Sequence, residues 1–337
     1  AHNQIASSFE VKFFFDPNNP AHKELACVSH FHEFTMEFND QLIITGFILS
    51  NQFRVSSTKE MASISGYSKP GVLEDCEIPP TLYPLQSNGL SLKQIATKIV
   101  RPFKLNIEIN PAVADRMNKT FSGTTAGEGQ NIKSFLAELA KQKNIIMSHN
   151  VKGDLLFTET KADSEPVLDF DLTNGIDSMP GTTFTFNFNG QGMHSHIYVQ
   201  KQAGIDGGNA GQKLIRNPYV PVVFRPTTIS QSSGDDNDTD LAARRALANE
   251  LRNIKLTITT DRWEINEKML LPNTIITIFA PELYIYVKTR FLIESIDYVG
   301  NESVTTATLN CVLPEVYTNE IPKSIFAGIN LYPQPHI

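Results

Sequence analysis

The sequence is short of cysteine, tryptophan and charge. Of 337 residues, 3 are Cys, 1 is Trp and 19% are charged, where about 25% is usual for soluble domains. Cys27, Cys76 and Cys311 are odd in number and widely spaced. That excludes a disulfide framework and a cysteine-built zinc site, and reads as three small buried hydrophobes in a chain that folds under reducing conditions. No apolar run approaches the ~20 residues of a membrane-spanning helix. Ala1-His2-Asn3-Gln4 does not open a signal peptide; Ala1 is expected from methionine removal or from a start inside a longer gene product. Lys and Arg total 29 against 36 Asp and Glu, a net charge of −7. With no basic block, a dedicated nucleic-acid binder is excluded. Hydrophobic residues at 41% with so few charges exclude a disordered chain. So little charge points to a surface that neighbours cover.

What is present reads first as β. Phe9, Val11, Phe13 and Phe15 alternate, as do Phe34, Met36 and Phe38, the period of half-buried strands. Residues 42–49 and 60–65 suggest a hairpin, ended by Gly66-Tyr67-Ser68-Lys69-Pro70-Gly71. The period then changes. Leu92, Ile95, Ala96, Ile99 and Val100 share one helical face, with Ser91 and Gln94 as a capping box and Pro102 as the stop. Ile132, Phe135, Leu136, Leu139 and Ala140 repeat that spacing, and short strands flank Lys152-Gly153-Asp154. Phe184, Phe186 and Phe188 restore the β texture. Residues 201–240 read as loop, a helix follows with Leu247 and Leu251 on one face, and strands are expected over 255–260, 273–280, 283–288, 291–298 and 304–313. An internal echo links 42–67 with 291–317: strand, polar turn, strand, aromatic exit.

Few constellations carry chemistry. His30-x-His32 and His194-x-His196 each put two imidazoles on one strand face, but neither stretch names a third ligand, so polar strand edges are favoured and no metal is expected. Asp236, Asp238 and Asp240 have calcium-loop spacing, yet Leu241 stands where Gly is required and Arg252 where Glu is required. The glycines from Gly204 to Gly211 lead into Gln212-Lys213-Leu214 rather than Gly-Lys-Ser/Thr, which favours a flexible loop over a phosphate cradle. Gly-x-Ser-x-Gly is absent, and Glu74-Asp75 sits in a turn with no partner that sequence can name. No catalytic residue and no cofactor are expected.

Order is more telling than any single motif. The hairpin runs into Gly66-Tyr67-Ser68-Lys69-Pro70-Gly71-Val72-Leu73-Glu74-Asp75-Cys76; the helix from Ser91 follows, then Gly127-Glu128-Gly129-Gln130 before the second helix. After these come Asn217-Pro218-Tyr219-Val220-Pro221, an Ala/Arg-rich helix from Asp240, Trp263, Leu271-Pro272-Asn273-Thr274 and Phe291-Leu292-Ile293-Glu294-Ser295-Ile296. Over nearly the whole chain this resembles the baseplate hub proteins of contractile-tailed bacteriophages, the Mu-type tail hub family. At greater distance it is similar to the hub region of type VI secretion spikes. Family members carry one more strand before the position of Phe9, so the first barrel is expected to be incomplete or completed otherwise.

The resemblance implies a mainly β, ring-forming fold of two similar β-barrel (tube) domains and a small α+β domain. The expected divisions are a first barrel over 1–87, an α/β insert over 88–165, a second barrel over 166–313 with the loop 201–240 and the helix 240–254, and an extended tail over 314–337. It implies a structural, non-enzymatic homotrimer whose pseudo-sixfold ring joins the tail tube protein to the central spike protein, with DNA or a tape-measure protein only as passing cargo. The place would be the virion tail baseplate, assembled in the host cytoplasm. The interface residues it implies are Tyr67, Leu73, Trp263, Tyr317 and Pro322; each aromatic has a plain reading as a core residue. Missing charge should then be missing from the barrel flanks, with the acid excess on the lumen or the insert. The alternatives are a cell-surface glycan- or peptide-binding β protein, marked by a monomer with an aromatic platform, and a tail-borne cell-wall hydrolase, marked by a pocket of Glu or His with displaced pKa.

Overall fold

The computed structural model describes residues 2–57, 60–83, 85, 87–122, 126–176, 180–201, 212–231, 239–265, 268–301 and 303–326. The chain divides into two compact units, one of residues 3–159 and one of residues from 160 onward that also takes in His2.

The first unit starts with β1 (Ser8–Phe14), a short helix α1 (Pro20–Leu25), β2 (Glu33–Phe38), β3 (Gln41–Val55) and β4 (Glu60–Ser68). Phe9, Val11 and Phe13 of β1 and Phe34, Met36 and Phe38 of β2 turn inward, as their alternation requires. The strands bond in the order β1-β4-β3-β2, all antiparallel. At about 4.8 Å per strand the two edges of a flat sheet would lie about 14 Å apart. Phe9 of β1 nevertheless stacks on Phe34 of β2 with ring centres 4.5 Å apart. The sheet is therefore curled until its edge strands face each other.

The rest of this unit is an α/β body: α2 (Val72–Asp75), α3 (Leu92–Val100), β5 (Ile107–Ile109), α4 (Ala114–Asn118), α5 (Ile132–Gln142), β6 (Ile146–His149) and β7 (Leu155–Thr158), with strand order β5-β7-β6. Ser91 Oγ accepts from the Gln94 N–H and Gln94 Oε1 accepts from the Ser91 N–H, closing the expected capping box. All ten apolar residues assigned to the two helix faces are buried. The same core takes in Leu73, Ile78 and Leu85, so the body begins upstream of residue 88.

The second unit contains β8 (Leu168–Asp171), β9 (Thr182–Phe188), β10 (His196–Lys201), β11 (Gln212–Arg216), β12 (Pro226–Gln231), α6 (Thr239–Leu251), β13 (Ile254–Thr260), β14 (Glu264–Ile265), β15 (Lys268–Met269), β16 (Ile275–Ala280), β17 (Ile285–Gly300), β18 (Thr305–Val312) and α7 (Glu315–Thr318). Its main sheet has the order β8-β16-β17-β18-β13-β9. This sheet is curled as well: Phe170 of edge strand β8 meets Phe184 of edge strand β9 edge-to-face at 5.2 Å. A smaller sheet, β11-β10-β12, carries α6, which buries Ala243, Leu247, Ala248 and Leu251.

Three expectations are corrected here. Residues 212–216 and 226–231 are strands, not loop; Pro226 opens an edge strand, a place where a missing N–H is harmless. The strands expected over 283–288 and 291–298 are one, β17. The segment after Pro314 is not simply extended: α7 forms at once, and Ile325 and Phe326 pack on the core of the unit. The glycine run 204–211, Asp236, Asp238 and the end of the tail, 327–337, lie outside the described residues.

The two units have one four-strand arrangement in common. Strands β1, β2, β3 and β4 correspond in chain order to β13, β16, β17 and β18, and the spatial orders β1-β4-β3-β2 and β13-β18-β17-β16 are identical, antiparallel throughout. The third strand is the long one in both and carries a one-residue bulge against the fourth. The bulged residue is Leu49 in one, between Ile48 and Ser50, and Glu294 in the other, between Ile293 and Ser295. Both fourth strands exit into a short helix, α2 or α7. The echo read from the sequence is thus a repeat of strand order and bulge.

Candidate interaction surfaces

Of the five residues named from the sequence, Tyr67 and Trp263 sit at hairpin ends, Tyr317 on the exit helix α7, and Leu73 and Pro322 elsewhere. Tyr67 closes β4 and donates through its hydroxyl to Asp75 Oδ2 at 2.7 Å. Its ring lies on Gly71, where a Cβ would come 2.4 Å from the ring. Burial, then the Asp75 carboxylate, pushes the phenol pKa well above its ordinary range. Asp75 and its neighbour Glu74, which pairs with Lys133 Nζ at 2.6 Å, are thereby committed to structure. Leu73 is fully buried and belongs to the core of the α/β body.

Trp263 caps the far end of the β17–β18 hairpin. Its indole N–H donates to the carbonyls of Thr306 at 3.0 Å and Val299 at 3.2 Å, and its ring covers Gly300, where a Cβ would come within 2.6 Å. Pro322 is buried in the segment that folds back on the second unit. Tyr317, half-buried on α7, donates to Glu294 Oε1 at 2.6 Å. The Arg252 guanidinium stands 4.9 Å from the Tyr317 ring centre and pairs with the same carboxylate, and the Glu294 carbonyl accepts from the His2 N–H at 2.6 Å. The bulge that displaces Glu294 from the ladder thus presents it to three partners. Glu294→Ala is expected to lower the stability of the second unit by about 2 kcal/mol, against about 1 kcal/mol for Tyr317→Phe, because the first leaves a half-buried cation unpaired. Chemical denaturation of both variants checks the order.

Exposed apolar side chains are unevenly distributed. Phe14, Phe53 and Val55 stand at one end of the first sheet; Val222, Val223, Phe224, Val299 and Val304 stand out on the second unit, with Val55 at 78%, Val299 at 68% and Phe224 at 70% exposure. Among the described residues of 70–159 no large hydrophobic side chain is exposed. Single exposed hydrophobes are ordinary; what stands out is that they occur in both units and not on 70–159.

The histidine pairs part company. His194 Nδ1 bonds Glu250 Oε1 at 2.7 Å and its backbone N–H donates to Glu250 Oε2; His196 Nδ1 meets Ser195 Oγ at 2.8 Å. Both are polar anchors. At the other pair the structure brings up a third donor that sequence did not name: one potential ligand atom each from Cys27, His30 and His32 lie within 4.8 Å of one another. Cys27 is half-buried there and is not a core hydrophobe. Asp240, the described member of the aspartate series, is taken by Lys213 at 2.7 Å and Arg244 at 2.6 Å. A groove in the first unit is lined by Lys93, Thr97, Arg101, Lys104 and Asn106 together with apolar side chains.

This mainly β fold has counterparts among solved tail proteins. It is shared by the 43 kDa tail protein of prophage MuSo2 from Shewanella oneidensis, with TM-score 0.76 and 18% identity over 93% of this chain and 91% of that one. The tail protein from Neisseria meningitidis MC58 has it too, with TM-score 0.71 and 17% identity over 95% and 92%. Residues 70–159 match the second domain of the family described as baseplate hub protein gp44-like. Baseplate hub protein gp44 of Escherichia phage Mu is 23% identical over 319 residues, 88% of this chain and 78% of that protein. The chain resembles the baseplate hub proteins, as the order of its motifs implied.

Proposed function

We propose that this chain is a structural, non-enzymatic hub of a phage tail baseplate. Three copies form a ring that joins the tail tube to the central spike. The repeated four-strand topology, with its bulge at the same place, carries this reading. Each chain offers two sheets of one design, so three chains offer six, and a trimer gains pseudo-sixfold symmetry on a threefold axis. Such a ring meets a sixfold tube on one side and a threefold spike on the other, which is a demand on geometry rather than on chemistry.

The distribution of apolar surface supports the same reading. The exposed Phe14, Phe53, Val55 and Val299 of the sheets and Val304 of the β17–β18 turn are surface for neighbouring subunits and the tube, and the α/β body is the part left facing solvent. Tyr67 and Trp263 act in this scheme by fixing the hairpin ends that meet neighbours, and Tyr317 and Pro322 by holding the segment proposed to meet the spike. Leu73, wholly buried in the core of the α/β body, has no surface to offer a neighbour and drops out of the interface set. The mild acid excess suits a lumen through which DNA or a tape-measure protein passes without sticking. The place of action is then the virion baseplate, reached from the host cytoplasm. Native mass spectrometry of the purified chain at micromolar concentration is expected to give three times the chain mass; a monomer at every concentration tested removes the ring.

A further inference from the structure

From the convergence of Cys27, His30 and His32 we infer a zinc site in the loop between α1 and β2. The three donors come from one short stretch, Cys27-Val28-Ser29-His30-Phe31-His32. The chain folds back on itself there because Ser29 (φ 66°) and Phe31 (φ 48°) are both left-handed, a conformation that residues other than Gly seldom take. Each end is anchored. The Cys27 N–H donates to Glu24 O at 3.2 Å as α1 ends, and the His32 carbonyl accepts from the Ile48 N–H of β3 at 3.0 Å. The imidazole rings of His30 and His32 lie 5.3 Å apart, centre to centre.

Three observations select the ion. The donors are one thiol and two imidazoles, a set that suits zinc and disfavours Mg²⁺ and Ca²⁺, which take oxygen. The ligand atoms lie within 4.8 Å of one another. Zinc, with bonds of about 2.3 Å to sulfur and about 2.0–2.1 Å to nitrogen, would hold them about 3.3–3.8 Å apart, so closure takes rotation of side chains and no movement of strands. Finally, His32 Nε2 is buried and has no hydrogen-bond partner among the described residues. A buried ring nitrogen left in that state is costly, and an ion drawing the three side chains together removes the cost by reseating the ring. Glu33 is engaged by Lys69 at 3.1 Å, which leaves the fourth tetrahedral position to water. On binding, the Cys27 thiol gives up its proton to solvent and zinc is held as thiolate plus two neutral imidazoles. The ion then pins α1 and its loop to the curled sheet.

The test uses the full chain, stripped with chelator and reloaded with Zn²⁺ or Co²⁺. One zinc per chain is expected to survive desalting, and the cobalt form should show a thiolate-to-metal charge-transfer band with the strong visible bands of four-coordinate cobalt. Cys27→Ser should abolish the charge-transfer band and weaken zinc retention at least tenfold, as should His32→Ala, while Cys76→Ser leaves both unchanged. The wild-type cobalt spectrum decides the matter even if a variant misfolds. A spectrum without the thiolate band, or equal zinc retention by a folded Cys27→Ser, His32→Ala double variant, overturns the site.

Discussion

Phe157→Ala is expected to lower the stability of the unit of residues 3–159 by about 3–5 kcal/mol, the range for emptying a buried aromatic position. Phe157 lies on β7, the middle strand of the β5-β7-β6 sheet, and is fully buried. Its neighbours across the ladder are Ile109 and Met147, and its carbonyl accepts from the Asn110 N–H at 2.9 Å. With strands held on both sides, the sheet cannot collapse into the space the ring leaves, so the cavity cost adds to the lost transfer energy. Domains of ordinary stability have about 5–15 kcal/mol in all, so the variant should lose a large share of it. Denaturant unfolding followed by circular dichroism reads the change; a loss under about 1 kcal/mol would mean that the α/β core is not organised around β7.

A fall of pH from 6.5 to 4 is expected to destabilise both units. Burial drives the pKa of His2 down from 6.5 to about 3 and that of His149 to about 4. His2 bonds Thr160 Oγ1 at 2.7 Å and has Arg252 close enough to oppose a second positive charge. His149 Nδ1 bonds the Gln4 carbonyl at 3.1 Å, which with Glu74 favours the proton, but burial outweighs both. A histidine that is neutral when folded and protonated when unfolded contributes fully above pH 6.5, and its contribution falls away as the pH drops toward the folded value. At 1.36 kcal/mol per pH unit, His2 and His149 each account for about 3 kcal/mol by pH 4. Stability measured against pH should therefore flatten in His2→Gln and in His149→Gln by about one proton each. Equal slopes in wild type and variants would mean that neither ring is held neutral.

Much of this was legible in the sequence, and what was not has physical causes. Helices α3 and α5 show plainly because each has one apolar face and a polar remainder, and Ser91 and Gln94 mark a start. Strands β1 and β2 show because a curled sheet buries every second residue. Helix α1 does not show: it buries nothing, so no periodicity betrays it, and Asn19 and Pro20 alone announce it. Strands β11 and β12 are edge strands of a small sheet, and their polar residues read as loop. The repeat appeared only as an echo because strand order and bulges, not side chains, are what the two units share; Leu49 and Glu294 hold the same place with opposite chemistry. The Cys27, His30 and His32 cluster depends on left-handed Ser29 and Phe31, which residue type argues against. Where the low charge falls on the surface was not legible: among the described residues, large exposed apolar side chains occur in both units, on strands and loops alike, and not on 70–159.

The proposed ring is tested most directly by electron cryomicroscopy of the assembled protein. The account predicts three chains about one axis, with six sheets evenly spaced so that density at their radius repeats sixfold, while the 70–159 bodies repeat threefold. A particle in which the two sheets of each chain are not related by rotation about that axis would contradict it.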